Sequence, residues 1–199
     1  MILTFQGRIL ADALLYCVQK TPEKVTIVIE THKLAISPLS TYLMTYKLRS
    51  KVKITHSTDY TTVLDTRDHG EVDSISDPKM AGMTAVSSVT DPRISSFGRR
   101  HLFIRMETTD DAAANCADES TIFSSTDDYN CVRLLNGLTE GPEITNRIPL
   151  ECNLDLLNYV DFTKGCYVGQ ELTARTKFKV LLNCILMSTY LRKHIETFR

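Results

Sequence analysis

Lys164, Gly165, Cys166 and Tyr167, followed after one residue by Gly169, Gln170 and Glu171, are the residues of this chain whose types and spacing could do chemistry. A thiol is a nucleophile and a soft metal ligand once it ionises. Gly165 and Gly169 allow the backbone to turn tightly or to approach a ligand closely. Gln170, Glu171, Leu172, Ala174 and Arg175 are good helix formers, with acidic Glu171 in the first turn. The stretch reads as a loop that delivers Cys166 beside a helix N-terminus, where Lys164 and the helix dipole favour thiolate. The same residues would also suit a buried structural cysteine in a turn.

The elements that must position this loop follow from pattern. Ile2–Phe5 and Ile9–Val18 flank Gln6-Gly7-Arg8, a hairpin turn in which Gly7 supplies positive φ. Thr21–Lys24 is a second turn, and Val25–Glu30 is a strand by residue type. Ser37 before Pro38 reads as an N-cap, opening an amphipathic helix through Leu39, Tyr42, Leu43, Tyr46 and Leu48 to about Arg49. Lys47, Arg49, Lys51 and Lys53 beyond it read as a solvated helix end. Val52–His56 and Thr61–Leu64 are further expected strands. From Asp65 to Pro92 the composition turns to Asp, Ser, Gly, Pro and Thr, the pattern of a linker. Leu102–Arg105 is a compact strand. Glu107–Asp128 holds seven acidic residues and no basic one, which predicts a mobile acidic loop. Ser125 or Thr126 is expected to cap a helix that ends at Gly137. Pro149 restrains the backbone before Leu150, and Glu151 beside Cys152 is a candidate polar group facing a cavity. The tail from Lys177 is expected to be a helix with apolar residues on most sides, prone to aggregate.

Composition sets limits. A chain of 199 residues, 43% hydrophobic, has enough apolar content for a core. Its net charge of −1 gives no field for nucleic acid. The longest apolar run, Val180–Met187, is far short of the ~20 residues of a membrane span. Six cysteines, at 17, 116, 131, 152, 166 and 184, show no Cys-x-x-Cys pair and no histidine at zinc spacing, so no resident metal is expected. Dispersed thiols in a chain this long suit a reducing compartment.

The run Lys164-Gly-Cys-Tyr-x-Gly-Gln-Glu171, preceded by Ile148-Pro-Leu-Glu-Cys-Asn-Leu154, resembles the signature of the YgfZ-type proteins, relatives of the glycine-cleavage T-protein (GcvT, an aminomethyltransferase). The likeness reaches back through Arg133, Gly137 and Glu140-Gly141 to Gln6-Gly7-Arg8, and fades after Thr176. It implies an α+β fold of two ferredoxin-like, GcvT-type sheet-plus-helix layers: residues 1–70 as a partial first domain, 71–93 as a linker, 94–176 as the second domain, and 177–199 as a divergent tail in place of a C-terminal β-barrel. It implies sequence before Met1, including a transit peptide, and a place in the mitochondrial matrix. The implied function is maturation of mitochondrial [4Fe–4S] proteins beside A-type scaffold proteins, the transferase-like fold serving as a non-catalytic assembly factor. Folate-dependent aminomethyl transfer and an inactive truncated isoform are the alternatives. Cys166 and Lys164 would then do the chemistry. Arg8, Arg133, Glu151, Gly165, Tyr167, Gly169, Gln170 and Glu171 would line a cavity shaped for tetrahydrofolate.

Overall fold

A computed structural model describes residues 1–66, 82–105 and 125–179. These form a mixed α/β structure with small antiparallel sheets and three α-helices. The acidic stretch from residue 107 lies outside the described residues up to 124, as do residues 67–81 and the tail from residue 180.

The described residues group into two compact units. The first comprises Met1–Tyr16, Ile27–Ile54 and the described residues from Asn130 onward. It opens with β1 (Ile2–Leu3) and β2 (Ile9–Ala11), paired antiparallel around the expected Gln6-Gly7-Arg8 turn. Gly7 has φ +81°, and the turn closes through Gly7 N–H to the Thr4 carbonyl at 2.9 Å. The expected second arm is broken at Asp12–Ala13: β3 (Leu14–Lys20) leaves β2 to pair with β4 (Val25–Glu30) in a hairpin closed at Thr21–Lys24.

The helix α1 (Ile36–Lys47) corrects the expected cap. Ser37 lies inside its first turn, because a 3₁₀ turn at Lys33–Ala35 leads directly into it. His32 caps that turn instead, Nδ1 accepting from Leu34 N–H at 3.2 Å. Val52–His56 is not a strand. Its alternation is correct, but among the described residues no neighbour offers it a ladder.

Later in this unit come most of α2 (Thr126–Leu135) and all of α3 (Gln170–Lys179). Ser125 is the cap of α2: its Oγ accepts from Asp128 N–H at 3.2 Å, while the Asp128 carboxylate accepts from Ser125 N–H at 2.8 Å. Gly137, φ +69°, ends the helix as expected. The core is built from Leu3, Ile9, Leu39, Leu138, Ile144, Leu150, Leu154 and Leu157, all buried.

The second unit, Cys17–Thr26 and Thr55–Tyr129, is built on an antiparallel sheet of order β5-β7-β6, where β5 is Tyr60–Asp65, β6 Met83–Thr90 and β7 Arg99–Arg105. β6 falls in the Ser- and Thr-rich stretch that composition alone reads as irregular. Its Thr84, Val86, Val89 and Thr90 are β-branched, and pairing with β7 outweighs the polar composition. Phe97, Leu102 and Phe103 form its core. Beside them Asp91 is buried with two arginines, Arg93 Nη2 at 2.8 Å and Arg100 Nη1 at 3.3 Å. Those cations hold the Asp91 carboxyl below its usual range against the opposing effect of burial.

Candidate functional site

The loop from Asp161 to Gly169 is shaped by its own side chains. Asp161 Oδ1 accepts from Thr163 N–H at 2.8 Å and from Thr163 Oγ1–H at 2.6 Å, an Asx turn that starts the loop. These bonds hold the Asp161 carboxyl below its ordinary value. Lys164 Nζ then stands 4.6 Å from the centre of the Tyr167 ring, a cation–π contact across the two intervening residues. Gly165 has open space around it, and Cys166 is exposed with a free thiol.

The helix start fixes the other end. Gln170 Oε1 accepts from Tyr167 N–H at 3.1 Å, and Gln170 N–H donates to the Tyr167 carbonyl at 3.2 Å. Gln170 therefore folds the loop back onto α3. Glu171 is spent on the helix surface, pairing with Arg175 at 2.6 Å. Along α3, Thr173 and Thr176 are buried, and the helix packs on the 3₁₀ turn Pro149–Cys152 that bears Glu151.

The two motifs farthest apart in sequence meet here, glycine against glycine. A Cβ on Gly169 would lie 2.6 Å from the Thr4 carbonyl oxygen and 2.8 Å from Gly7 Cα. One on Gly7 would lie 2.6 Å from Leu172 Cβ and 2.7 Å from the Gly169 carbonyl oxygen. Arg8, exposed, leaves this seat and donates from Nη1 to the Asn146 carbonyl at 2.9 Å. Ile9 pairs with the same segment, its N–H donating to Arg147 at 3.0 Å and its carbonyl accepting from Asn146 at 2.8 Å.

A cleft of about 220 Å³ opens beside the loop, lined among others by Tyr42, Tyr159, Asp161, Lys164, Tyr167 and Val168. It brings together two of the expected site residues, Lys164 and Tyr167. Arg133, Glu151 and Cys166 are not in its lining. Arg133 is buried, its guanidinium donating to both Glu143 oxygens (2.8 and 2.5 Å) and to the Leu138 carbonyl at 3.1 Å. Sequence reasoning missed Tyr42, Tyr159 and Asp161 as cleft residues. The usable signal was the aspartate two residues before a threonine, which predicts an Asx turn. Tyr42 read simply as part of an apolar helix face.

Two cysteines of this unit are set apart by burial. Cys152 is wholly buried, and desolvation pushes its thiol from 9.0 up to about 11. The folded state therefore holds this proton more tightly than the unfolded chain. The associated stability is complete below about pH 9 and is lost as pH rises toward 11. Each pH unit of that shift corresponds to about 1.4 kcal/mol. Urea titrations of the wild type are expected to show a loss on the order of 2 kcal/mol across this window, and Cys152→Ala is expected to flatten that dependence. An equal alkaline loss in the variant would exclude Cys152 as its source.

No protein-family model matches the chain. Among curated proteins, it is 35% identical over 195 residues to "Iron-sulfur cluster assembly factor IBA57 homolog, mitochondrial" of Neosartorya fischeri, a match covering 87% of this chain and 43% of that protein. The homolog of the same name from Neurospora crassa is 34% identical, with 92% of this chain and 44% of that protein covered. The mouse protein, "Iron-sulfur cluster assembly factor IBA57, mitochondrial", is 33% identical over 87% of this chain and 48% of its own length. The chain is similar to mitochondrial iron–sulfur cluster assembly factors. It spans less than half the length of these relatives. Among the described residues no group of His, Cys, Asp and Glu is placed to hold a metal ion, and no helix is long and apolar enough to cross a membrane.

Proposed function

We propose that this chain acts in iron–sulfur cluster assembly in mitochondria, supporting maturation of [4Fe–4S] proteins in the matrix. The observation that carries the reading is the exposed Cys166 on an open loop whose base is locked, glycine to glycine, onto the turn of the other matching motif. The relatives' names supply the process. In this reading the cluster is cargo. The Cys166 thiolate, a soft ligand, holds iron transiently, or attacks a disulfide of a partner protein, forming a mixed disulfide and releasing the partner's other sulfur as a thiolate, an A-type scaffold being the proposed partner. The GcvT-type layering of the two units, the 71–93 linker and the YgfZ-type membership belong to the same proposal.

Expression in cells depleted of their own assembly factor tests it, with the activity of [4Fe–4S] enzymes as readout. The chain is expected to restore that activity. Cys166→Ala is expected to melt like wild type, since the side chain is exposed, and to lower the restored activity roughly 10–100-fold, the scale of disrupting a metal site's supporting contacts. Full restoration by Cys166→Ala would overturn the role of the thiol. No restoration by the wild-type chain would overturn the reading for this chain.

A second reading, folate binding with or without one-carbon transfer, is favoured by the cleft. Tyr159 and Tyr167 offer aromatic surface for a flat ring, and Lys164 a cation for an anionic group. Its volume is below the roughly 300–1,000 Å³ of pockets that enclose whole drug-sized ligands. The residues present therefore fit one ring end of tetrahydrofolate and not the whole molecule. Titration with tetrahydrofolate, expected to weaken in Tyr167→Ala, tests binding separately from cluster assembly.

A further inference from the structure

The C-terminal end of α1 runs into a segment that the reading above leaves unused. Between Glu30 and Asp59 the chain has no acidic residue, although its net charge is −1. Within that span Lys47, Arg49, Lys51 and Lys53 fall in seven positions, and among the described residues none of them has an acidic partner. Residues 48–53 are all exposed and form neither helix nor strand.

A purely solvated basic end would carry polar residues between its charges. Here two of the three intervening side chains, Leu48 and Val52, are apolar and held out in water, and only Ser50 is polar. Leu48 is 84% exposed, Val52 53%, Met44 54% and Tyr46 50%. Leu48 also sits at φ 48°, ψ −120°, a backbone conformation unfavourable for a side chain with a Cβ. The chain thus holds a strained, exposed leucine at the C-terminal end of α1, with Lys47 and Arg49 on either side.

We propose that Tyr46–Lys53 docks on an anionic lipid bilayer, with Leu48 and Val52 entering the headgroup layer while the four cations face lipid phosphates. Both features are needed by such a surface. Basic side chains are drawn to anionic headgroups, and aliphatic ones gain by leaving water at the acyl boundary. Tyr46 matches the amphipathic aromatics that settle at that boundary. A nucleic-acid backbone would use the charges and leave the aliphatics in water. The contact is peripheral and needs no spanning segment.

Co-sedimentation of the full chain with phosphatidylcholine vesicles, with or without about one-third phosphatidylserine, tests the proposal. Binding is expected only with the anionic vesicles, and is expected to weaken as salt rises from about 0.1 to 0.5 M. Lys51→Gln/Lys53→Gln should lower partitioning by about 30-fold at low salt. Leu48→Gly, which removes the aliphatic group, relieves the backbone and leaves the charge unchanged, should lower it by about 10-fold with no fall in Tm. Arg49→Gln/Lys51→Gln serves as a second charge variant if the first loses its melting transition. No sedimentation with anionic vesicles, or equal sedimentation with neutral ones, would overturn the proposal. So would wild-type binding by Leu48→Gly, which would show that the charges alone hold the lipid and that Leu48 does not enter the headgroup layer.

Discussion

Gly169→Ala is expected to destabilise the chain by about 2–5 kcal/mol, lowering Tm by roughly 10 °C. Two costs combine. The first is backbone strain: at φ +81° a Cβ is penalised by about 1–2 kcal/mol. The second is steric. The new methyl would lie 2.6 Å from the Thr4 carbonyl oxygen and 2.8 Å from Gly7 Cα, both backbone atoms that no rotamer change can move. Overpacking of that kind typically costs about 1–3 kcal/mol. A native domain has only about 5–15 kcal/mol in reserve, so the loss is large. Gly165→Ala, four residues away with open space around it, is expected to stay within about 0.5 kcal/mol of wild type. Thermal melts of the two variants in parallel test the seat. If Gly169→Ala melts with the wild type, the Gln6–Arg8 turn does not pack against the loop as described.

That pair of variants also marks what the sequence could and could not announce. The glycines at 7, 137, 165 and 169 pointed to turns, and Gln170–Arg175 to a helix; these signals are local, and they held at β1–β2, at the end of α2 and at the start of α3. Nothing local says that Gly7 and Gly169 are each other's neighbours. The same gap explains the strands. Val52–His56 has the right alternation and no partner among the described residues, while Met83–Thr90 has an unpromising composition and a partner in β7. Strand formation follows from pairing across the chain, which a single sequence does not display. Ser37 illustrates a smaller gap, because the 3₁₀ turn before α1 takes over the capping position it was suited to fill. At the site, the loop's residues were legible, whereas the use of Gln170 as a loop clasp depends on a side-chain bond back to Tyr167.

Arg133→Ala is expected to cost about 3–5 kcal/mol, the range for removing one partner of a buried ion pair. The variant leaves Glu143, itself mostly buried, without the guanidinium that meets both its oxygens, and deprives the Leu138 carbonyl of a donor. Arg133→Lys keeps the charge and loses the planar fork, so it should cost less than the alanine and more than a surface substitution. The double variant Arg133→Ala/Glu143→Ala should be destabilised by less than the sum of its singles, with a coupling of roughly 0.5–3 kcal/mol. This series separates the two roles open to Arg133. As a clamp joining α2 to the Leu138–Glu143 segment, it sets Tm, and tetrahydrofolate affinity falls only as the folded fraction falls. As a ligand-binding residue, it would show lower affinity in Arg133→Lys at an unchanged Tm. Its burial against Glu143 and Leu138, and its absence from the lining of the Lys164–Tyr167 cleft, favour the clamp. Melting Arg133→Ala at the wild-type temperature would refute it.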